Sequence, residues 1–374
     1  MDIAINTRLL LAHRMEGVAR YIYETTKQMV ITHPEVQFHF LFDRPYDEQF
    51  IFADNVFPHV VGLPSRHPLL WYLWFEKSLP AFFKKNKIDA FYSGDMYMSL
   101  SSEVPTLMVS HDLNYVHYPE GLKWTVLKYY QHYMPKYHHA ADHLITVSEA
   151  TKVDVVDKYN VDSNKITVAH NAVPDYFAIL PDKDVETIRT EITEGNPYFV
   201  YIGSLHPRKN VESILLAYDK YMSEYSGTHH LVIYGRKAWK TDKIYQIYEQ
   251  MKHKTRVHFL SNDDIDVAKA MGAASALCYI SLFEGFGIPI LEAMACDVPV
   301  ITSDISSMPE VGGDAVLLVN PKDISAVANN MHRLSTDDKL RHNLIEKGRL
   351  QLQKFSWKLS ADKIYEQLMM LAIS

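Results

Sequence analysis

Short hydrophobic runs alternate with longer amphipathic stretches along the second half of the chain. The runs cover residues 198–204, 231–235, 257–260, 276–280, 299–303 and 315–319. Each is too short for a buried helix and is rich in Val, Ile and Tyr, which is typical of strands buried on both faces of a parallel sheet. The pattern therefore predicts a doubly wound α/β domain in this half.

The first half repeats this pattern. The predicted strands are 3–6, 36–42, 88–93, 106–110 and 143–148, and the predicted helices are 18–32, 69–85 and 124–139. Residues 174–196 are bracketed by prolines and dense in charge, so we interpret them as a linker between a first domain, 1–173, and a second domain, 197–355. The apolar spacing after Trp357 predicts a terminal helix, 356–374, that packs on the first domain.

The composition is that of an ordinary folded protein. Of the 374 residues, 47% are hydrophobic and 22% are charged, and the net charge is −7. This balance provides no basic field for nonspecific binding of nucleic acid. The sequence shows no secretory leader and no run near the ~18 apolar residues of a membrane span, and Cys278 and Cys296 form no disulfide or metal pattern. We therefore expect a cytoplasmic protein.

The loop YIGSLHPRKN follows the first predicted strand of the second domain. Gly203 permits a tight turn there, and Arg208 and Lys209 stand where the next helix begins. Two cations beside the free N–H groups of a helix N-terminus favour a diphosphate ligand. The alternative interpretation is a surface turn with solvated charges.

The segment SLFEGFGIPILEAMACDVPV carries two carboxylates among apolar residues and glycines. Glu284 precedes a predicted helix whose start is marked by Gly287 and Pro289. Glu292 lies inside that helix, and its apolar neighbours predict that it is buried, so its carboxylate needs polar partners. These partners are either structural, such as an arginine or backbone N–H groups, or the paired hydroxyls of a sugar or ribose.

Residues 281–318 closely resemble the signature of the retaining glycosyltransferases of family 4, which have the GT-B fold. The loop 110–120 is similar to the histidine loop of that family, and residues 145–156 and 170–177 are similar to the end of its first domain. The resemblance implies two doubly wound Rossmann-like domains that face a central cleft, with a C-terminal helix that returns to the first domain. The second domain would bind the donor and the first would take the acceptor.

The resemblance also implies roles for individual residues. Glu292 would hold the ribose hydroxyls of a nucleotide-sugar donor, Glu284 would contact the transferred sugar, and His111 would face that sugar from the first domain. Arg208 and Lys209 would neutralise the diphosphate. The remaining predicted site residues are Gly203, Gly285, Phe286 and Gly287 in the donor cradle, Leu260 at the base-binding loop, and Gly17 and Arg20 on the acceptor side. No cofactor and no metal is expected beyond the nucleotide sugar itself.

The substrates are predicted with less detail. The loop 110–120 resembles that of O-antigen mannosyltransferases, so GDP-mannose is the preferred donor, with a glycan or polyprenyl-linked glycan as acceptor. The family mechanism implied is attack from the face that the diphosphate leaves. A retaining glycoside hydrolase that uses two carboxylates, and a nucleotide-sugar sensor without turnover, are the alternatives.

Asp297 and the segment 67–87 are two further features of the sequence. Asp297 stands where family members often have glycine, which is expected to alter a helix cap. The segment 67–87 combines Trp71, Trp74 and Phe75 with three lysines. It is either a core helix with a solvated end or a peripheral contact with the inner face of the membrane.

Overall fold

The computed structural model describes residues 1–12, 15, 17–236 and 242–373. The chain divides into two compact units, one formed by Met1–Asn171 together with Ser356–Ser374 and the other by Ala172–Phe355. Each unit is built around its own parallel sheet. Among the described residues, no helix is both long enough and apolar enough to cross a bilayer.

The sheet of the first unit has seven parallel strands in the order β3-β2-β1-β4-β5-β6-β7. The strands are β1 (Asp2–Asn6), β2 (Gln37–Phe42), β3 (Val56–Val60), β4 (Ala90–Ser93), β5 (Thr106–Ser110), β6 (His143–Thr146) and β7 (Ile166–Val168). The helices are α1 (Gly17–Thr32), α2 (Pro68–Leu73), α3 (Leu79–Asn86), α4 (Asn114–His117), α5 (Trp124–Ala140) and α6 (Glu149–Tyr159). The apolar runs predict the five inner strands, all of which are confirmed, but not the two edge strands β3 and β7.

The predicted helix 69–85 is interrupted. A π-helical turn, Trp74–Ser78, separates α2 from α3. Trp74 and Phe75 in this turn are 1% and 0% exposed and belong to the core, and Trp71 packs edge-on against Tyr129 of α5 with ring centroids 5.3 Å apart. The aromatic residues of this segment therefore serve mainly the interior of the first unit.

The sheet of the second unit has six parallel strands in the order β10-β9-β8-β11-β12-β13. The strands are β8 (Tyr198–Ile202), β9 (His230–Tyr234), β10 (Val257–Leu260), β11 (Ala276–Tyr279), β12 (Val300–Ser303) and β13 (Leu317–Val319). The helices are α7 (Asp182–Thr193), α8 (Val211–Tyr225), α9 (Asp242–Gln250), α10 (Val267–Gly272), α11 (Ile288–Ala295), α12 (Met308–Gly312), α13 (Ile324–Thr336) and α14 (Asp338–Leu352). The apolar runs predict all six strands.

The segment interpreted as a linker, 174–196, lies within the second unit and contains α7. Its charged residues form the exposed face of this helix, while Ile188 is buried and Arg189 Nε donates a hydrogen bond of 2.9 Å to the Ala273 carbonyl. High charge density in this segment thus reflects one solvated side of a packed helix rather than an unstructured connection.

The last helix, α15 (Trp357–Ile373), belongs to the first unit, as predicted. It packs against α1, β4 and β5, and its Ile364 and Leu368 are fully buried. The rings of His33 and Tyr365 stack with centroids 3.4 Å apart. Ser360 Oγ also donates a hydrogen bond of 2.6 Å to the His170 carbonyl. The predicted return of the C-terminal helix is confirmed.

Candidate active site

The strand order of the second unit reverses between β8 and β11. From β8 the chain proceeds outward through β9 and β10, and from β11 it proceeds in the other direction. In doubly wound sheets, ligands bind at the carboxyl ends of the strands where the order reverses. The loops that follow β8 and β11 carry Arg208 and Glu284, so both predicted site segments flank this switch point.

Two glycines allow the backbone to approach closely at the carboxyl edge of this sheet. Gly203 has φ +149° and its N–H donates to the Tyr234 carbonyl at 3.0 Å. A Cβ on Gly235 would lie 1.9 Å from the Gly203 carbonyl oxygen, so no side chain fits there. The turn after β8 therefore depends on glycine at 235 as well as on the predicted Gly203.

The loop between β8 and α8 is fixed by hydrogen bonds to its neighbours. His206 Nδ1 accepts from the Arg208 N–H at 3.3 Å, and the Arg208 carbonyl accepts from the Leu282 N–H at 2.8 Å. Asn210 Nδ2 donates to the Ile280 carbonyl at 3.1 Å and to the Pro321 carbonyl, which follows β13, at 2.7 Å. These bonds join the loops after β8 and β11 and hold the two cations in place.

Glu284 bridges the two predicted phosphate-binding cations. Its Oε2 accepts from Arg208 Nη1 at 2.7 Å, and its Oε1 accepts from Lys209 Nζ at 2.6 Å. Lys209 also donates to the Tyr279 hydroxyl at 2.9 Å, and Arg208 to the Phe283 carbonyl at 2.7 Å. The Glu284 side chain is 7% exposed, whereas those of Arg208 and Lys209 are 18% and 12% exposed, so the cations are more open to a ligand than the acid.

The ionisation of Glu284 follows from this arrangement. Burial acts to raise the pKa of its carboxyl, but the charges of Lys209 and Arg208 outweigh burial and lower the pKa to about 2. Glu284 is therefore a carboxylate at neutral pH. It can hold cations or accept hydrogen bonds, but it has no proton to donate.

Serines from the loop after β12 hold the backbone around Glu284. Ser306 Oγ donates to the Glu284 carbonyl at 2.6 Å, and Ser307 Oγ donates to the carbonyls of Glu284 at 3.0 Å and Phe286 at 2.7 Å. The Phe286 ring is buried edge-on against Phe355, with centroids 5.6 Å apart. Sequence patterns do not predict these serines or Tyr279, because hydroxyl donors to backbone carbonyls have no characteristic spacing.

Glu292 is half-buried, and the prediction that it is buried is wrong. It lies on the partly exposed stripe of α11 together with Ile288 and Ala295, while Ile290, Leu291, Ala293 and Met294 are buried. Residues four and three apart share one face of a helix, so the adjacent apolar residues point elsewhere. The sequence assigns deep burial to the wrong one of the two glutamates, since Glu284 is the enclosed one.

The two ends of α11 use left-handed backbone conformations. Gly287 caps the start with φ +102°, a conformation that favours glycine. Asp297 follows the helix with φ +55°, at the position where glycine commonly ends a helix, and its carboxylate pairs with Arg349. The expectation that Asp297 concerns the helix cap is thus confirmed.

Leu260 ends β10 and is half-buried. Its carbonyl accepts a hydrogen bond of 2.8 Å from the Gly235 N–H, so this group ties β10 to the loop after β9. In the following loop, Ser261 donates from N–H and Oγ to Asp264 at 2.7 and 2.8 Å. The backbone of the predicted base-binding loop is therefore held in a defined turn.

His111 directly follows β5 in the first unit. Its Nε2 lies 2.7 Å from the Gly94 carbonyl, and Tyr21 meets its ring edge-on with centroids 5.2 Å apart. Burial lowers the pKa of His111, which keeps the imidazole neutral at neutral pH. Because a carbonyl only accepts, Nε2 carries the hydrogen of the neutral ring, and Nδ1 presents a lone pair.

The predicted acceptor-side residues also lie in the first unit. Gly17 begins α1 with φ +32°, and Arg20 Nη1 donates to Glu24 at 3.4 Å within the same helix. His13, Arg14 and Glu16, which precede Gly17 in the predicted acceptor loop, lie outside the described residues.

Comparison with known domain families assigns the class of protein. The domain described as "Glycosyltransferase Family 4" matches residues 15–175, and the domain described as "Glycosyl transferases group 1" matches residues 182–351. Together the two matches span both units and nearly the whole chain. The protein belongs to the glycosyltransferase family that these two domains define, as the motifs predict.

Individual relatives support this assignment. The chain is 25% identical to the O-antigen chain mannosyltransferase B of Escherichia coli, over 93% of this chain and 94% of the relative. It is 29% identical to the O-antigen chain mannosyltransferase RfbU of Salmonella typhimurium, over 74% of this chain and 75% of the relative. Among solved structures, HepE of Anabaena in complex with UDP-glucose has a similar fold, with a TM-score of 0.76 at 16% identity over 99% of this chain and 100% of HepE. The GT-B fold is confirmed.

Proposed function

We propose that this glycosyltransferase moves mannose from GDP-mannose to a glycan or polyprenyl-linked glycan, with retention of the anomeric configuration. The cluster of Arg208, Lys209 and Glu284 at the switch point of the donor-side sheet carries the proposal. Mannose is favoured because the two relatives described above are O-antigen mannosyltransferases.

The proposed chemistry centres on the leaving diphosphate. Arg208 and Lys209 outnumber the carboxylate of Glu284, so the cluster keeps one net positive charge for the negative charge that develops on the diphosphate. The bond between the sugar C1 and the phosphate oxygen breaks, and its electrons stay on that oxygen. The acceptor oxygen bonds to C1 from the same face, and its proton passes to the departing phosphate. These steps use side-chain charges and no metal.

Glu284 has two proposed tasks. It orients Arg208 and Lys209 toward the diphosphate, and it contacts the transferred sugar. Both carboxylate oxygens already accept one bond from a cation, but a carboxylate offers about four acceptor positions in all, so a sugar hydroxyl can still donate to it.

Other predicted residues complete the proposed site. The half-buried Glu292, which lies on the partly exposed face of α11, binds the ribose hydroxyls. The N–H groups at the start of α11, together with Gly203, Gly285 and Gly287, form the diphosphate cradle. Leu260 borders the base. His111 accepts a hydrogen bond from the sugar, and Gly17 and Arg20 contact the acceptor.

The ionisation of Glu284 argues against the glycoside hydrolase alternative. A hydrolase of that class needs a carboxylic acid whose pKa is raised so that it can protonate the leaving group. In this protein the pKa of Glu284 is lowered by two cations. A sensor would bind the nucleotide sugar without turnover, so only an activity measurement distinguishes it from the enzyme.

A transfer assay tests the proposal. The protein is incubated with GDP-mannose and a polyprenyl diphosphate-linked oligosaccharide, and the products are analysed by mass spectrometry and NMR. We expect addition of one or more hexoses in α linkage, the configuration of the donor. A β-linked product would contradict retention, transfer only from another nucleotide sugar would contradict the donor, and binding without transfer would favour a sensor.

Peripheral membrane contact is a separate part of the proposal. Leu69 and Leu73 of α2 are 62% and 39% exposed, and Lys84 and Lys85 near the end of α3 are exposed as well. Exposed apolar residues and cations on the same helical segment favour binding to anionic bilayers. Flotation with anionic and with neutral vesicles tests it. We expect binding to the anionic vesicles only and its loss in the Leu69→Ser/Leu73→Ser variant; no flotation of the wild type would contradict this contact.

A further inference from the structure

The first unit carries a buried ion pair at the switch point of its own sheet. The strand order reverses between β1 and β4, and Arg8 and Asp95 lie in the loops that follow these two strands. Arg8 Nε donates to Asp95 Oδ2 at 2.6 Å, and the two side chains are 6% and 1% exposed. In the second unit, the bridge between Arg208 and Glu284 occupies the equivalent place, but there the cation is more open.

An enclosed ion pair of this kind is not explained by stability. Removing two charges from water costs as much as their attraction returns, and apolar replacements are often as stable. The pair instead organises the loop from 93 to 97. Asp95 Oδ1 accepts from Asn6 Nδ2 at 2.8 Å and from the Tyr97 N–H at 3.4 Å, and Ser93 Oγ donates to the Tyr97 carbonyl at 2.5 Å.

This loop contains the carbonyl that meets His111. The Gly94 carbonyl and the Asp95 N–H belong to one peptide unit, so the bonds that fix Asp95 also fix the direction of that carbonyl. On its other side Gly94 packs against α1, where an added Cβ would lie 2.4 Å from Ile22 Cγ1. The carbonyl is therefore held from both sides at 2.7 Å from His111 Nε2.

We propose that Arg8 and Asp95 are positioning residues that hold the Gly94 carbonyl against His111 and so keep this histidine in its Nε2–H tautomer. The Nδ1 atom, which makes no hydrogen bond to any described residue, is then fixed as an acceptor for a sugar hydroxyl. The inference rests on the proposed function, in which His111 contacts the sugar. It assigns His111 the task of orienting a hydroxyl and excludes a role as a cation for phosphate.

The tautomer is read directly by NMR. The protein is labelled with ¹⁵N-histidine, and the His111 signals are assigned by their loss in a His111→Asn variant. At pH 7 we expect the wild-type His111 to show protonated Nε2 and unprotonated Nδ1. A protonated ring or the opposite tautomer would overturn the inference.

Variants then test the two positioning residues. In Arg8→Met/Asp95→Leu the Gly94 carbonyl loses its support, and we expect a mixture of the two tautomers. The control is Lys165→Met, which also removes a cation of the first unit but one that lies outside this network, since Lys165 Nζ donates to the His139 carbonyl at 2.8 Å. We expect the control to keep the wild-type tautomer. An unchanged tautomer in the double variant would overturn the inference.

Kinetics separate positioning from simple structural damage. We expect kcat of the double variant to fall about tenfold or more while the Kd for GDP changes less than about twofold, since only the orientation of a reacting group is lost. A loss of GDP affinity as large as the loss of kcat would contradict a positioning role for Arg8 and Asp95. The NMR result does not depend on transfer, so an inactive wild type would contradict the proposed function alone. If the double variant does not fold, the milder Asp95→Asn variant takes its place, and an unchanged His111 tautomer in that variant would overturn the inference.

Discussion

Lys209 Nζ lies 2.6 Å from Glu284 Oε1, and this contact joins the loops after the two central strands of the second sheet. The two residues are 75 positions apart in the sequence. Arg208 makes a similar bond to the other carboxylate oxygen. The two cations predicted to bind phosphate and the acid predicted to contact the sugar therefore form one ion-paired cluster. The ionisation of Glu284 therefore depends on both cations.

Substitution of Glu284 by Gln is expected to destabilise the protein and to strengthen its response to nucleotide. The change leaves two largely enclosed cations without their anion, which lowers the free energy of unfolding by about 2 to 4 kcal/mol. A diphosphate can then replace the missing charge. Thermal unfolding with and without saturating GDP should show a larger GDP-induced rise of Tm in the variant than in wild type.

The control for this experiment is Glu249→Gln. It breaks the ion pair of 2.6 Å with Lys254 on the surface of the same unit. Exposed pairs contribute little to stability, so Tm and its response to GDP should stay near the wild-type values. A GDP-induced rise in Glu284→Gln that equals the wild-type rise would contradict the proposed charge coupling.

The stability of the protein is expected to fall in acid because of Glu284. Burial opposes ionisation, but the two cations lower the pKa of Glu284 from 4.5 to about 2 in the folded state. A lowered pKa means that this contribution is fully present above the unfolded value and is lost as the pH falls from about 4.5 toward 2. Urea unfolding at pH 6 and pH 3.5 should show that the free energy of unfolding falls more for wild type than for Glu284→Gln. Equal losses would refute the assigned ionisation.

Glu292→Ala is expected to weaken GDP binding about tenfold or more, because the proposed bond to the ribose diol is lost. Since Glu292 is half-buried, the folded protein should persist, which circular dichroism can verify. The matched ligand is 2′,3′-dideoxy-GDP, which lacks the diol. Wild type and variant should bind this analogue equally by calorimetry, and a loss of affinity that is the same for both nucleotides would exclude the ribose contact.

Gly235→Ala is expected to disrupt the carboxyl edge of the second sheet. The added Cβ would lie 1.9 Å from the Gly203 carbonyl, so the turn after β8 must move, at a cost of about 3 kcal/mol or more. Gly195→Ala is the control, because its left-handed φ of +86° is strained while the space around it is open. Urea unfolding should show a larger loss in the free energy of unfolding for Gly235→Ala than for Gly195→Ala. The reverse order would contradict the close approach of Gly235 to the Gly203 carbonyl.

The apolar runs predict the inner strands of both sheets because these strands are buried on both faces. The edge strands escape this criterion. In β3, Phe57 and Val60 are exposed and Pro58 interrupts the run, and β7 has only three residues. Helix α7 is missed for a similar reason, since only one side of it is buried and its charge density is typical of a linker.

The candidate site is predicted in residue type but not in geometry. The motifs identify Arg208, Lys209 and Glu284 separately, yet nothing in their spacing shows that they form ion pairs, because these pairs arise from the adjacency of β8 and β11. The apolar sequence neighbours of Glu292 likewise predict that it is buried, whereas its position on the helix face determines its exposure. Arg8 and Asp95 carry no motif at all, and only the strand order brings them together.

Binding of nucleoside diphosphates and monophosphates shows directly whether Arg208 and Lys209 form the diphosphate site of this glycosyltransferase. Calorimetry compares GDP with GMP, and UDP and ADP with their monophosphates, for wild type and for Arg208→Met/Lys209→Met. We predict that wild type prefers GDP to GMP by about tenfold or more and that the double variant loses this preference. A diphosphate preference that persists in the variant, or that is absent from wild type for every base, would show that Arg208 and Lys209 do not form a diphosphate site.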